Sequence, residues 1–140
     1  MIFVQPAYLP SVNYFKDFND NDLVYNINLG LDESNYFDET YMSNENGVFK
    51  VKVPTTNKNK SKFQRDIKID HKTNWIKSHT HSFQSAYGKF PYFIFYLDPI
   101  LNVLKTNHKF MIDLNYDLLS LFLELLNYDQ KPVKLSLIHI

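Results

Sequence analysis

Ile2 to Gln5 opens the chain as a short apolar run. Pro6 and Pro10 then deny it any further ladder hydrogen bonds, so the pattern predicts a brief buried strand followed by a turn. Ser11 can cap a helix, and Val12, Phe15 and Phe18 recur every three residues, which predicts one apolar stripe on a short helix ending near Phe18. Leu23, Val24, Tyr25 and Ile27 make Asp22 to Asn28 a second strand. Strand, helix and strand at this spacing predict a βαβ unit with parallel pairing, its crossover near the shortest that works.

From Leu29 to Asn46 the periodicity dissolves among Asn, Asp, Glu and Ser with isolated Tyr36, Phe37 and Tyr41, and the prediction there is a long loop or irregular strands. Asn46-Gly47 marks a turn. Val48 to Val53 then sets Phe49, Val51 and Val53 against Lys50 and Lys52, the alternation of a strand with one dry face. Pro54 ends that strand, Thr55 to Lys62 reads as a basic surface loop, and Arg65 to Ile69 resumes the alternation as the expected antiparallel partner. Asp70 or Thr73 can cap a helix over Asn74 to Tyr87, in which Trp75, His79, Phe83 and Ala86 or Tyr87 share a face, and Gly88 stops it. Pro91 opens a second helical segment through Phe95 to about Thr106. Asp113 or Asn115 begins a third through Asn127, so apolar around Leu118 to Leu126 that it must be covered on most sides. Val133 to Ile140 reads as a final strand. Together these elements predict an α/β fold: a single domain over residues 1–140, with a small mixed sheet (the N-terminal βαβ unit plus an antiparallel hairpin) packed against three C-terminal helices.

Composition fits one core. The chain has 140 residues, 44% of them hydrophobic, and its 12 Phe, 10 Tyr and 1 Trp supply much buried area per side chain. Without cysteine, disulfide scaffolds, thiolate zinc sites and cysteine nucleophiles are excluded. The opening residues lack the basic start and apolar length of a secretory signal, and the longest apolar stretch is broken by Ser120 and Glu124. The expectation is therefore a cytoplasmic protein with no membrane insertion. Net charge is zero, but Asp17 to Glu45 holds eight acidic residues and no Lys or Arg, while Asn46 to Lys89 holds ten basic residues against Asp66 and Asp70. Either the two stretches compensate each other in the fold, or the basic one meets an anionic ligand such as a nucleotide or sugar phosphate. Nucleic acid is not expected, since charge is balanced and no reading motif appears. The Leu118 to Leu126 stripe is core first and a homo-oligomer surface second.

Candidate chemistry is sparse. His79 shares a helical face with Trp75 and Phe83, where a half-buried neutral imidazole can act as general base or orient a hydroxyl, or can simply be a hydrogen-bonded core residue. His81 points roughly 200° away around the helix, which argues against a metal pair with His79, and no metal site is expected. Gln5, Tyr8 and Tyr14 fall at or just beyond the carboxyl end of the first strand, the usual ligand side of an open α/β sheet. An amide and phenols there could fix a sugar or a base, or merely shape the turn. Asp70 serves as a helix cap or belongs to the site. Lys58, Lys60, Lys62 and Arg65 could meet phosphates or be solvated. No convergent carboxylates, nucleophile elbow or glycine-rich phosphate loop is present, so reaction type and cofactor stay open.

Three stretches carry a resemblance: Gln5-Pro6-Ala7-Tyr8-Leu9-Pro10 continued by Tyr14-Phe15-Lys16; Val53-Pro54 with Ile67-Lys68-Ile69-Asp70; and the register Asp70, Trp75, His79, Phe83, Tyr87, Pro91, Phe93. In this order they resemble the WbqC-like family, with Asp113-Leu114-Asn115 agreeing further along. The resemblance implies a cytoplasmic bacterial protein of surface-polysaccharide (O-antigen type) synthesis. It would be a transferase or transferase accessory acting on a nucleotide-activated or lipid-linked sugar, with Gln5, Tyr8, Tyr14, Trp75 and Tyr87 binding substrate and His79 and Asp70 catalytic. The chain departs from the family in placing Ser11 and Asn13 where a Trp and a Gly are usual. Acid at Asp38 and Glu39 replaces a Lys-rich stretch ending in Asn-Arg, and many members run past the last strand. An anionic donor held by those basic residues should then bind weakly or not at all. The alternative is a non-catalytic binding protein on the same fold, and the position of Asp38 and Glu39 relative to the pocket separates the two.

Overall fold

The computed structural model describes residues 2–10, 12–15, 18, 23–26, 29–31, 37–56, 61–90, 93–126 and 132–134. Strands β1 (Ile2–Val4) and β2 (Leu23–Tyr25) pair in parallel with Ile2 opposite Leu23 and Val4 opposite Tyr25, as the βαβ spacing predicts. β2 is buried along its whole length, which is why it reads as a continuous apolar run and not as an alternation. The helical part of the crossover is shorter than predicted. Instead of a helix to Phe18, Val12–Phe15 forms one 3-10 turn, and the Phe18 N–H closes on the Phe15 carbonyl at 3.1 Å. One turn is enough, because it already delivers Phe15 and Phe18 to the core with Tyr14 edge-on to both. The expected Ser11 cap lies outside the described residues.

The polar stretch after β2 contains an element that hydrophobic periodicity does not reveal. Glu39–Asn44 is strand β3, pairing antiparallel with β4 (Gly47–Lys52) across a two-residue loop, with Asn44 opposite Gly47. The Asn44 side chain accepts the Asn46 N–H at 2.9 Å, and Gly47 takes φ +122°, a value open to glycine and strained for other residues. β3, and not Arg65 to Ile69, is therefore the partner of β4. Gln64–Asp66 is a 3-10 turn, and the extended residues after it make isolated bridges, Thr55 with Ile69 and Lys68 with Phe110. Ile67 and Ile69 are buried around an exposed Lys68, so the alternation there marks a half-buried extended segment without a ladder of its own. Residues 29–31 close against 62–64 through Leu31 N–H to Lys62 O (3.0 Å) and Gln64 N–H to Leu29 O (2.9 Å), which buries Gln64 with its Nε2 donating to the Gly30 carbonyl.

Three helices follow: α1 (Trp75–Tyr87), α2 (Phe93–Leu104, with Pro99 inside it) and α3 (Met111–Leu125). Neither Asp70 nor Thr73 caps α1. Asn74 occupies that position without a side-chain cap bond, and Asp70 turns its Oδ1 to the Lys72 N–H at 2.9 Å. α3 starts two residues before Asp113, its entry fixed by Met111 N–H to the Ile67 carbonyl at 3.0 Å. The second helix begins within the described residues at Phe93; its predicted opening at Pro91 lies outside them.

The apolar girth of α3 is covered on two sides. Met111, Leu114 and Leu118 join the larger core with Tyr8, Phe37, the hairpin and α1, while Leu119 and Leu123 join a second cluster with Val4, Phe15, Phe18, Leu23 and Tyr25; Phe122 packs against both. The Tyr25 hydroxyl donates to the Ile112 carbonyl at 2.9 Å and ties β2 to the start of α3. β5 (Val133–Lys134) then pairs in parallel with the free side of β2, giving a three-stranded sheet in the order β1-β2-β5 beside the separate β3-β4 hairpin. Of the final predicted strand, residues 135–140 lie outside the described residues. Acidic and basic stretches do meet: Glu39 lies 3.6 Å from Lys50, and Glu45 pairs with Lys89. No helix among the described residues is long and apolar enough to cross a membrane.

Candidate functional site

Two segments far apart in sequence converge on one imidazole. Tyr8 follows β1 in the turn shaped by Pro6 and Pro10, and His79 sits one turn into α1 on the face that also carries Trp75 and Phe83. The Tyr8 phenol lies 2.6 Å from His79 Nδ1, and His79 Nε2 lies 3.0 Å from the Lys52 carbonyl at the end of β4. A carbonyl only accepts, so Nε2 carries the hydrogen and Nδ1 presents its lone pair to the Tyr8 O–H. Both residues are buried, Tyr8 at 1% exposure and His79 at 4%. Burial lowers the affinity of His79 for a second proton, partly opposed by its bond to the Lys52 carbonyl, and burial also pushes the Tyr8 phenol well above its ordinary value. The result is a neutral Tyr8–His79 pair in which each proton has one place to go, with both ring nitrogens occupied.

Trp75 backs this pair, its ring edge-on to His79 at 5.0 Å. The Tyr8–Leu9–Pro10 turn is locked from the other side, where the Thr40 hydroxyl donates to the Leu9 carbonyl at 3.0 Å. Leu9 itself takes φ +48°, a left-handed backbone that a branched side chain adopts only when its surroundings hold it there.

A hollow of about 650 Å³ is lined by Leu9, next to Tyr8, and by Phe83, one turn beyond His79, but not by Tyr8 or His79 themselves. Leu9 and Pro10 of the turn, Thr40, Tyr41 and Met42 of β3, and Phe83 and Tyr87 of α1 form one part of its wall. Phe90 from the α1–α2 link, Phe93, Tyr96, Leu97 and Ile100 of α2, and Phe122 of α3 complete it. Tyr41, Tyr87, Phe90 and Tyr96 are exposed and stand at its solvent edge, whereas Met42, Phe83 and Leu97 are buried. None of these lining residues carries a charge. Asp38 is not among them, being fully buried at 0% exposure, nor is Glu39, which faces Lys50. Of the basic loop, Lys62 and Arg65 do not line it, Arg65 lying over the Phe63 ring at 4.5 Å, while Lys58 and Lys60 fall outside the described residues.

The other candidate residues distribute as follows. Tyr87 lines the hollow, and Trp75 stands behind His79. Gln5 is exposed, and its backbone carbonyl accepts the hydroxyl of Tyr14, whose ring packs against the second cluster, whereas Tyr8 belongs to the larger core. Burial raises the Tyr14 phenol as well. Asp70 holds the approach to α1 through Lys72 N–H and through its own N–H, which donates to the Pro54 carbonyl at 2.9 Å. His81 is exposed on the opposite face from His79, and among the described residues no three His, Asp or Glu gather as a metal requires. Periodicity alone passes over Leu9, Thr40, Tyr41, Phe90 and Tyr96. A signal for some of them exists in the three-residue steps Tyr87, Phe90, Phe93, Tyr96, which carry one aromatic stripe across the α1–α2 junction.

Compared with known proteins, residues 5–140, nearly the whole chain, match the model of the WbqC-like protein family. Neither a curated protein nor a solved structure matches it.

Proposed function

The chain belongs to the WbqC-like protein family, and from that membership we propose that it works in assembling a bacterial surface polysaccharide of O-antigen type, as a transferase or transferase accessory that takes an activated sugar. The observation supporting a site is the aromatic hollow, whose wall includes Leu9 next to Tyr8 and Phe83 one turn from His79, the two residues that hydrogen-bond behind it being Tyr8 and His79. In this reading Tyr87 and the other exposed rings receive the ligand, Trp75 fixes the imidazole from behind, and Asp70 sets the approach to α1. Gln5 reaches a ligand only from outside the hollow, with Tyr14 holding its backbone. His79 can serve as a general base only where an acceptor hydroxyl replaces the Tyr8 phenol at Nδ1, the nitrogen with a lone pair, which requires the buried pair to open because neither residue lines the hollow. The protein acts in the cytoplasm without membrane insertion, with a sugar-bearing ligand as its partner and no nucleic acid.

A second reading, binding without catalysis, is favoured by two features: both nitrogens of His79 are already engaged, and no charged side chain is among the lining residues. Complementation of a strain lacking the gene separates these readings. Wild-type protein restores the surface-polysaccharide banding pattern on gels, and a polysaccharide unchanged by the deletion refutes both. His79→Gln, if it accumulates as a folded protein, abolishes restoration under the catalytic reading and preserves it under the binding one.

A further inference from the structure

We propose that the hollow takes the hydrocarbon chain of a lipid-linked saccharide, with the sugar resting at the mouth against the exposed rings. This rests on the polysaccharide reading and narrows it, selecting a lipid-linked over a nucleotide-linked sugar. The interior wall, made of Leu9, Met42, Phe83, Leu97, Ile100 and Phe122, offers dispersion contacts and no side-chain hydrogen-bonding group. Thr40, the one aliphatic hydroxyl there, already donates to the Leu9 carbonyl. A pyranose sunk into such a space would bury hydroxyls without partners, and a pyrophosphate would bury charge without a cation, both unfavourable. A hydrocarbon chain meets neither difficulty, and about 650 Å³ falls in the range of hollows that enclose a small ligand.

The mouth has the opposite character. Tyr41, Tyr87 and Tyr96 bring three phenol hydroxyls to solvent, and the Phe90 ring is 61% exposed. Flat rings with polar tips suit an amphiphile at the junction between its chain and its sugar, where one side is apolar and the other wet. The placement is economical in sequence: the aromatic steps Tyr87, Phe90 and Tyr96 supply much of the rim, and Leu9 is turned to the wall by its left-handed backbone.

Calorimetric titration with hexyl, octyl and decyl β-glucoside below their micelle concentrations tests this, alongside glucose, octanol and uridine diphosphate glucose. The expected result is affinity tightening about fourfold per added methylene, the factor for moving one CH₂ out of water. Octyl glucoside should also bind at least tenfold tighter than octanol, and uridine diphosphate glucose should not displace it. Ile100→Trp, which fills the hollow, flattens the dependence on chain length. Phe90→Ser, an exposed change that leaves the core intact, weakens every glucoside. Affinity that is flat along the series, or uridine diphosphate glucose that competes with octyl glucoside, overturns the chain assignment and leaves the polysaccharide reading standing. Octanol binding as tightly as the glucoside overturns the saccharide reading and with it the lipid-linked sugar.

Discussion

Tyr8→Phe removes one oxygen from a buried contact between the opening motif and α1, and its effect follows from the bonding of His79. The ring at 1% exposure keeps its packing, so the change is confined to the 2.6 Å hydrogen bond. His79 Nδ1 then keeps a lone pair facing a hydrocarbon edge, while Nε2 remains fixed on the Lys52 carbonyl and prevents the ring from rotating to recover a partner. Stranding a buried acceptor costs about 1–3 kcal/mol. Taking about 2 kcal/mol and a urea m-value of about 2 kcal/mol/M, the midpoint should fall by about 1 M. Urea denaturation of wild type, Tyr8→Phe, His79→Gln and the double variant separates this bond from general packing. Once either partner is gone the second change has less to remove, and the coupling should be about 1–2 kcal/mol. Additivity within about 0.5 kcal/mol would refute the claim that these residues hold each other.

Leu9→Gly should exceed Leu9→Ala in stability by about 1 kcal/mol, the reverse of the usual order, because only glycine adopts φ +48° without cost; paired thermal melts measure it. Leu118→Ala, at a fully buried position in α3, should cost about 2–5 kcal/mol and shift the urea midpoint accordingly. His79 predicts a pH dependence. Burial places its folded pKa below the unfolded value of about 6.5, so as pH falls the unfolded chain binds the proton first. The stability it contributes is complete above about pH 6.5 and is lost as pH drops through the folded pKa, and His79→Gln should show a shallower decline between neutral and mildly acidic pH in urea midpoints. Asn115→Asp should destabilise strongly, since the buried Asn115 amide donates to the Phe37 carbonyl at 2.6 Å and a carboxylate would face that oxygen with another acceptor.

The parts legible in the sequence are those where burial is periodic or where a short run is buried throughout. Trp75, His79 and Phe83 are all buried on one face of α1, and the apolar runs at Ile2–Val4 and Leu23–Tyr25 do pair in parallel. β3 was hidden because only Met42 of its six residues is buried; Tyr41 and Ser43 face water and the rest are partly covered, so the strand is written in polar letters. Arg65 to Ile69 misled for the converse reason: alternation reports which side of an extended segment is dry, and the choice between a ladder and a pair of bridges is made by neighbours distant in sequence. At the site, the shared face of α1 pointed to His79 and the strand end to Tyr8, but nothing local says that the phenol would choose Nδ1. Nor does periodicity reveal that acid at Asp38 goes into the interior while Glu39 turns to Lys50, away from the hollow.

The tie between the opening turn and α1 is tested most directly by a long-range proton–nitrogen spectrum of the histidine side chains, with His79 assigned through His79→Gln. The bonding described here requires a neutral ring with its hydrogen on Nε2 and a bare Nδ1, unchanged from neutral to mildly acidic pH and altered in Tyr8→Phe. A ring with its hydrogen on Nδ1, or one that titrates like a solvent-exposed histidine, would mean that Tyr8 does not donate to it.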